Sequence, residues 1–361
     1  MDNQVIESMN LLYLALITER VPIIPAFSPF TSSHVKSEEY VEFSEVFDLP
    51  HLEKMMKTKI LEWHEVKDPY SETMEPLGCW NLEKLSSEVM VLSVPPANLN
   101  LDISYTTPPK WTKAYPDNPS DPQTKFWSLA TLGFSDTQPN GLIPEVSLVG
   151  QKSLPADQQL LCFDNLLFVC AHEPWELGKM YSPVWRFVGQ HMRWHERIQT
   201  IANDFIRQAL GVEADARFLR RGDFREQCLD LDPSICLAPL LLYEIQVEAV
   251  KEELLAMKGI KVDHVFVTSD EEDPSWWETV YERGWKTLDH SAILTQHGPW
   301  YPVFIDAVLG SGAAGFVGTY TSTVSMLAMI RVTAWNNGVN RSVRWGHHMT
   351  QEDLKALTKQ Q

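Results

Sequence analysis

The chain has 361 residues, of which 44% are hydrophobic and 22% are charged, a composition typical of a globular protein. Its 30 Lys and Arg residues against 48 Asp and Glu residues give a net charge of −18, which argues against nucleic-acid binding. No apolar run reaches the ~20 residues of a transmembrane helix, and the opening MDNQVIESMN lacks the basic start of a secretory signal.

The first elements form half of a parallel α/β unit. Apolar residues recur every three or four positions across residues 4–19, which predicts a helix with Asn3 as its N-cap. The run VPIIP at residues 21–25 predicts a short buried strand. The strand that normally precedes such a helix is missing from the pattern. We therefore expect an N-terminal α/β domain without its first strand.

Residues 95–123 are rich in proline. Seven of the 23 prolines fall there, between Asp, Asn and Thr residues. This composition predicts a long loop or insertion, and a functional loop and a mobile loop fit it equally well.

The second half of the chain alternates helices with strands. Helices are predicted at residues 193–210, 240–258, 274–284, 299–309 and 322–335, and strands at residues 216–220, 265–270, 285–290 and 315–319. Such alternation indicates a parallel sheet covered by helices on both faces. We place the domain boundary between residues 195 and 196, which gives domains of 1–195 and 196–361.

Two predicted strand ends carry groups suited to an anion. FLRRGDF, residues 218–224, contains Arg220, whose guanidinium can bind two phosphate oxygens at once. GFVGT, residues 315–319, is followed by Thr321, Ser322 and Thr323 at the start of a helix, where hydroxyls and free N–H groups accept anions. Ligands of open α/β sheets bind beyond the carboxyl ends of the strands. Together the two ends favour a phosphate-bearing ligand.

Each strand end also has a simpler interpretation. Arg220 can form a salt bridge with Asp223, and Thr321 or Ser322 can serve only as a helix cap. Residues 221–223 form the tripeptide Arg-Gly-Asp, which cell-adhesion receptors bind when it lies on an exposed loop. In this chain the tripeptide directly follows a predicted apolar strand. A cell-adhesion role is therefore disfavoured.

The five cysteines fit no zinc-binding pattern. Cys228 and Cys236 flank a short loop and either form a disulfide, which implies an oxidising compartment, or are unrelated thiols. Asn340 begins an N-glycosylation sequon that matters only in a secreted chain. His347 and His348 are expected in a solvated tail.

Three segments of the sequence resemble the GDP-fucose protein O-fucosyltransferases and their fungal relatives. They are the Asn3-Gln4 pair before the first helix, FLRRGDF, and FVGTYTST at residues 316–323. The similarity extends over most of residues 185–345, and residues 40–180 add little. The resemblance implies an α/β fold of the GT-B type, with two Rossmann-like domains facing across a cleft. It also implies a monomer of the secretory pathway.

The implied reaction is an inverting transfer of fucose from GDP-fucose to a Ser or Thr hydroxyl of a protein or glycan acceptor, with no metal and no cofactor. Arg220 matches the arginine that contacts the diphosphate and stabilises its charge as the sugar leaves, and Asp223 matches an aspartate of the donor site. Ser322 and Thr323 match small hydroxyl residues at the phosphate. Arg221 and Thr321 flank these positions.

Two further positions are carried over from the family pattern, and two depart from it. Asp306 matches an acidic residue that holds the guanine, and Asn3 matches the asparagine of an N-terminal glycine-rich loop. Phe218 stands where the family has histidine, and Val324 where animal members have phenylalanine. The departures, with the missing first strand, favour an alternative function: a relative that binds a nucleotide sugar or glycan without transfer. A dehydrogenase is disfavoured because no GxGxxG follows a strand.

Overall fold

The computed structural model describes residues 1–29, 39–68, 71–87, 99–137, 139, 141–157, 159–210, 218–221, 236–271 and 273–358; for residues 218–221 it describes the backbone alone. The chain divides into two compact units, Met1–Arg193 and Trp194–Gln361, called here the first and second units. In the described part of the chain, no helix has the length and apolar character needed to cross a membrane.

The first unit contains short strands in three separate parallel pairs, β1–β2, β3–β4 and β5–β6. Its elements are α1 Asp2–Ile17, β1 Ile23–Ile24, α2 Phe43–Val46, α3 Leu49–Met56, β2 Leu61–Glu62, α4 Trp63–Val66, β3 Glu75–Trp80, β4 Leu101–Thr106, β5 Thr124–Lys125, α5 Phe126–Leu132, β6 Val169–Cys170 and α6 Pro183–Phe187.

Helix α1 is buried along most of its length, as its apolar pattern predicts. Val5, Met9 and Leu12 are fully buried. The prediction that Asn3 caps this helix is wrong. The helix already begins at Asp2, with Met1 in the N-cap position, so Asn3 is exposed within the first turn. Met1 is buried, and the helix therefore begins earlier than the preference of asparagine for the N-cap would place it.

The proline-rich region contains a strand that the sequence analysis assigned to a loop. β4 pairs with β3 in parallel register, from Glu75↔Leu101 to Trp80↔Thr106. The segment LDISYT carries two polar residues that are buried, Asp102 and Ser104, and these obscure its alternation. Both are hydrogen-bonded to the loop at residues 145–154, which satisfies their polar groups.

A disulfide that the sequence did not reveal links Cys79 of β3 to Cys162, 83 residues later. Cys170 is a buried free thiol, and burial raises its pKa to about 11. Cys236 is disulfide-bonded; its predicted partner, Cys228, lies outside the described residues.

The second unit is built on one four-stranded parallel sheet with strand order β10-β9-β7-β8. Its elements are α7 Glu196–Leu210, β7 Phe218–Arg221, α8 Leu240–Lys258, β8 Phe266–Ser269, α9 Pro274–Glu282, α10 His290–His297, α11 Tyr301–Gly312, β9 Gly315–Thr319, α12 Thr323–Asn336, β10 Val339–Val343 and α13 Gln351–Thr358.

Most predicted elements of this unit are confirmed, but helices α10 and α13 were not predicted, and two strands differ from the prediction. The predicted strand at residues 285–290 forms only a single bridge, between Lys286 and Phe266, because α10 begins immediately after Asp289. Strand β10 was not predicted, since its sequence VNRSV places three polar residues between two buried valines. Packing against β9 and α8 on the parallel sheet makes this segment a strand.

Candidate functional site

The parallel sheet of the second unit brings the two predicted anion-binding segments to one edge. Strand β7 pairs with β9 through Phe218↔Phe316 and Leu219↔Val317, and with β8 through Arg220↔Thr268. Because all these strands are parallel, their carboxyl ends meet at the same edge of the sheet. We call it the carboxyl edge. Arg220 and Arg221 are there by their backbone positions, and Asp223 lies outside the described residues.

A network of hydrogen bonds fixes the turn from β9 into α12. The Ser325 hydroxyl accepts from the Thr319 N–H at 3.0 Å, and the Ser322 hydroxyl accepts from the Ser325 N–H at 3.3 Å. Ser322 is therefore the N-cap of α12. A Cβ atom at Gly318 would lie 2.6 Å from the Ser325 Cβ, so the close approach of strand and helix requires glycine here.

The helix start offers donors to an anion. Thr323 and Val324 are the first two residues of α12, and both are half-buried. N–H groups in the first turn of a helix have no partner within the helix, and the helix dipole places partial positive charge on them. The turn thus combines backbone donors with the hydroxyls of Ser322 and Thr323 at the carboxyl edge.

Thr321 adopts an unusual backbone conformation in this turn. Its φ is +69°, in the left-handed region that β-branched residues rarely occupy, at a cost of about 1–3 kcal/mol. The side chain is exposed, and its hydroxyl donates to the Tyr320 carbonyl at 2.6 Å. Strain of this kind is concentrated at binding and catalytic sites.

Aromatic and basic residues that sequence reasoning missed also lie at the carboxyl edge. The Trp345 indole N–H donates to the Tyr320 carbonyl at 2.9 Å, and the exposed Arg344 guanidinium lies 5.8 Å from the centre of the Tyr320 ring. His348 contacts the Tyr320 and Trp345 rings edge-on, and both His347 and His348 are exposed, as expected. Arg344, Trp345 and His348 follow β10, so their position depends on a strand that the sequence did not reveal.

A buried hydrogen bond connects the carboxyl edge to helix α8. The hydroxyls of Tyr243 on α8 and Thr319 on β9 are 2.7 Å apart. Tyr243 is fully buried. This bond links the end of β9 to a helix on the face of the sheet and so helps to hold the turn that follows in place.

An open cavity of about 800 Å³ lies beside the end of β8. Its volume is in the range of small-molecule and cofactor sites. One side is aromatic, because the Trp277 and Tyr281 rings of α9 stack with centroids 6.2 Å apart. The other lining residues come from α7, from the end of β8 and from the segment that leads into α10: Phe205, Gln208, Ala209, Ser269, Glu271, Trp285, Lys286, Thr287, Leu288, Asp289, His290 and Ser291.

Asp306 lies directly behind this cavity. Its carboxylate Oδ1 is 2.9 Å from Nε2 of His290, which lines the cavity. The side chain of Asp306 is 13% exposed and that of His290 is 33% exposed. A ligand in the cavity would therefore meet His290, whose Nε2 is bonded to the Asp306 carboxylate.

Two further predicted residues belong to other elements. Asn3 belongs to the first unit, on α1. Asn340 lies in β10, where its side-chain amide donates to the Thr333 hydroxyl at 2.6 Å and to the Met329 carbonyl at 3.3 Å. A glycan on this nitrogen would replace one of its two N–H hydrogens and break at least one of these bonds.

No protein-family model and no curated protein matches the sequence. Solved structures of POFUT1, a GDP-fucose O-fucosyltransferase, do match. The complex with GDP-fucose superposes with a TM-score of 0.56 at 14% identity over 96% of this chain and 94% of that one. The chain has a GT-B fold. The POFUT1 complex with GDP has a TM-score of 0.56 at 15% identity, covering 96% of this chain and 95% of that one. An apo form of POFUT1 has a TM-score of 0.55 at 14% identity, covering 96% of this chain and 94% of that one. The predicted fold is confirmed, and identities this low show the fold alone.

Proposed function

We propose that the chain is an inverting glycosyltransferase that transfers fucose from GDP-fucose to a Ser or Thr hydroxyl of a protein acceptor, without a metal. The observation that carries the proposal is the carboxyl edge of the second unit. There, strand pairing sets the end of β7, with Arg220, next to the turn into α12 that is capped by Ser322. Solved structures of the same fold bind GDP-fucose and GDP, which supports the choice of donor.

In the proposed reaction the acceptor hydroxyl attacks C1 of fucose from the face opposite the diphosphate and gives up its proton to water, and the bond from C1 to the β-phosphate oxygen breaks. Negative charge develops on the departing diphosphate. Arg220, Asp223 and the start of α12 with Ser322 and Thr323 are the groups assigned to the donor, and Arg220 stabilises this charge. The Asp306–His290 pair is assigned to the guanine base.

The alternative is a chain that binds a nucleotide sugar or glycan and does not transfer the sugar. Phe218 favours it, because phenylalanine cannot supply the polar contact of the histidine that the family carries there. Both functions use the same site, so the experiment must measure binding and turnover separately.

Isothermal titration with GDP and GDP-fucose measures binding, and release of GDP from GDP-fucose measures turnover without a known acceptor. Arg220→Ala is expected to lower turnover by about 10²–10³-fold. The matched control is Arg207→Ala, which removes an exposed arginine of α7 in the same unit and is expected to change neither quantity. Binding without turnover supports the alternative. If neither guanine nucleotide binds, the proposed transfer and the binding of a guanine nucleotide sugar are both wrong.

A further inference from the structure

The first unit contains a second cavity, of about 460 Å³, between α1 and two of its strand pairs. Its lining is largely apolar and includes Leu11 and Leu14 of α1, Ile23 of β1, Trp63 of α4, and Leu101 and Ile103 of β4. The cavity separates the β1–β2 pair from the β3–β4 pair, which are distinct sheets in the described part of the chain.

One side of the cavity is the edge of β1 that faces away from β2, and no strand among the described residues pairs with it; we call it an open edge in this sense. The Leu61 N–H donates to the Pro22 carbonyl at 3.0 Å, and β1 pairs with β2 through Ile23↔Leu61 and Ile24↔Glu62. In a parallel pair with this register, Ile24 directs its N–H and C=O towards β2. The N–H and C=O of Ile23 therefore point the opposite way, into the cavity that Ile23 lines.

Another side of the cavity is a second edge of the same pattern, at Phe163, which likewise pairs with no further strand in the part of the chain that the structure describes. The Trp80 N–H donates to the Cys162 carbonyl at 2.9 Å, and the Asp164 N–H donates to the Trp80 carbonyl at 3.0 Å. The Trp80–Phe163 bridge is also parallel. The N–H and C=O of Phe163 hence point away from β3, and Phe163 lines the same cavity.

The contacts of α1 show that the two edges run in the same direction. Near its beginning, the Gln4 amide donates to the Ser28 carbonyl at 2.9 Å, just beyond β1. At its middle, the Asn10 amide donates to the Leu166 carbonyl at 2.7 Å, just beyond Phe163. After its end, Arg20 donates to the Gln159 carbonyl at 3.1 Å, ahead of Phe163. Both edges therefore run opposite to α1, with their carboxyl ends towards its beginning.

The two ends of the cavity carry opposite charges. Glu7 and Asp164 line it at the carboxyl end, and Arg20 lines it at the amino end. Burial raises the pKa of Glu7 to about 7, with the Glu83 carboxylate adding to the effect. Burial likewise raises the pKa of Asp164 to about 6. Two carboxyl groups with raised pKa values favour a cation at the carboxyl end.

We propose that this cavity is a docking slot for one parallel β-strand, an extended apolar peptide of about five residues with Lys or Arg at its carboxyl end. Its backbone would bond to Ile23 on one side and Phe163 on the other, joining the two sheets into one. A central strand of a parallel sheet is buried on both faces and is apolar throughout. The apolar lining of the slot requires an occupant of this kind. The basic residue would pair with Glu7 and Asp164.

The test uses the full chain and two fluorescein-labelled peptides of identical composition, Glu-Val-Ile-Val-Leu-Arg and Arg-Val-Ile-Val-Leu-Glu, both amidated. In a parallel orientation only the first places its arginine beside Glu7 and its glutamate beside Arg20. We expect the first peptide to bind at least tenfold more tightly by fluorescence anisotropy. Hydrogen exchange of the Ile23 and Phe163 amides is expected to slow when it binds.

Two further measurements make the result decisive. Glu7→Gln is expected to weaken binding of the first peptide at least fivefold at pH 8, whereas Glu252→Gln, an exposed glutamate of α8, leaves it unchanged. Fusing the first peptide ahead of Met1 through a short glycine linker raises its effective concentration to the millimolar range, and is expected to raise Tm by at least about 3 °C. Fusing the second peptide should leave Tm unchanged.

Four results would overturn the proposal. The first is equal affinity for both peptides, and the second is slowed exchange at residues away from the two edges. The third is failure of both peptides to bind together with an unchanged Tm in the fused chain. A fatty acid that occupies the cavity and is not displaced by the first peptide would equally contradict a strand slot.

Discussion

The raised pKa of Glu7 predicts how the stability of the first unit depends on pH. Burial lifts this pKa from 4.5 to about 7, so between these pH values the folded state binds a proton that the unfolded state has lost. The free energy of unfolding therefore falls as pH rises through this window. At ~1.4 kcal/mol for each pH unit, the charged carboxylate of this partly exposed side chain costs at most about 3 kcal/mol at pH 8.

Glu7→Gln removes this titration and keeps the shape of the side chain. We expect the variant and the wild type to be equally stable at pH 4, and the variant to be more stable by up to about 3 kcal/mol at pH 8. Urea unfolding monitored by tryptophan fluorescence at several pH values measures the difference. Glu252→Gln is the control for removing an exposed negative charge. A difference that is independent of pH, or one that grows towards low pH, would refute the reasoning.

Three other substitutions test the fold. Cys162→Ala opens an 83-residue loop and is expected to lower the free energy of unfolding by about 4 kcal/mol, measured by urea unfolding without reductant. Gly318→Ala places a Cβ 2.6 Å from that of Ser325; it should lower the free energy of unfolding by about 1–3 kcal/mol and weaken GDP binding. Its control is Gly312→Ala, whose added Cβ meets no atom within 4 Å and should change neither quantity. Tyr243→Phe removes one buried hydrogen bond and should lower the unfolding free energy by about 1 kcal/mol, and an unchanged value would show that this bond contributes nothing.

The second unit was largely predictable because its local signals agree with its packing. Apolar runs predict β8 and β9, and Gly259, with a φ of +65°, ends α8 where the sequence indicates. β10 could not be predicted, because its polar residues make it a strand only through its partners in the sheet. For the same reason Arg344 and Trp345, which follow it, were missed at the candidate site.

The first unit was less predictable because its strands are short and its buried polar groups depend on distant partners. Asp102 interrupts the alternation of β4, yet its carboxylate accepts hydrogen bonds from Ser147 and Gly150 more than 40 residues away. The Cys79–Cys162 pairing likewise joins segments with no shared sequence signal. The roles of Arg220 and Asp306 came from family resemblance, and they stay predictions that the assays above test.

The Cys79–Cys162 bond has a practical consequence for handling the protein. Disulfides persist in oxidising compartments and are rare where thiol reductants are abundant, so material made in a reducing cytosol would carry two thiols here. Cys162 also lies next to Phe163, on the open edge that faces the slot. Preparations that differ in redox history are therefore expected to differ in peptide binding at this edge, while GDP binding in the second unit stays the same. The choice of expression host is thus itself an experimental variable.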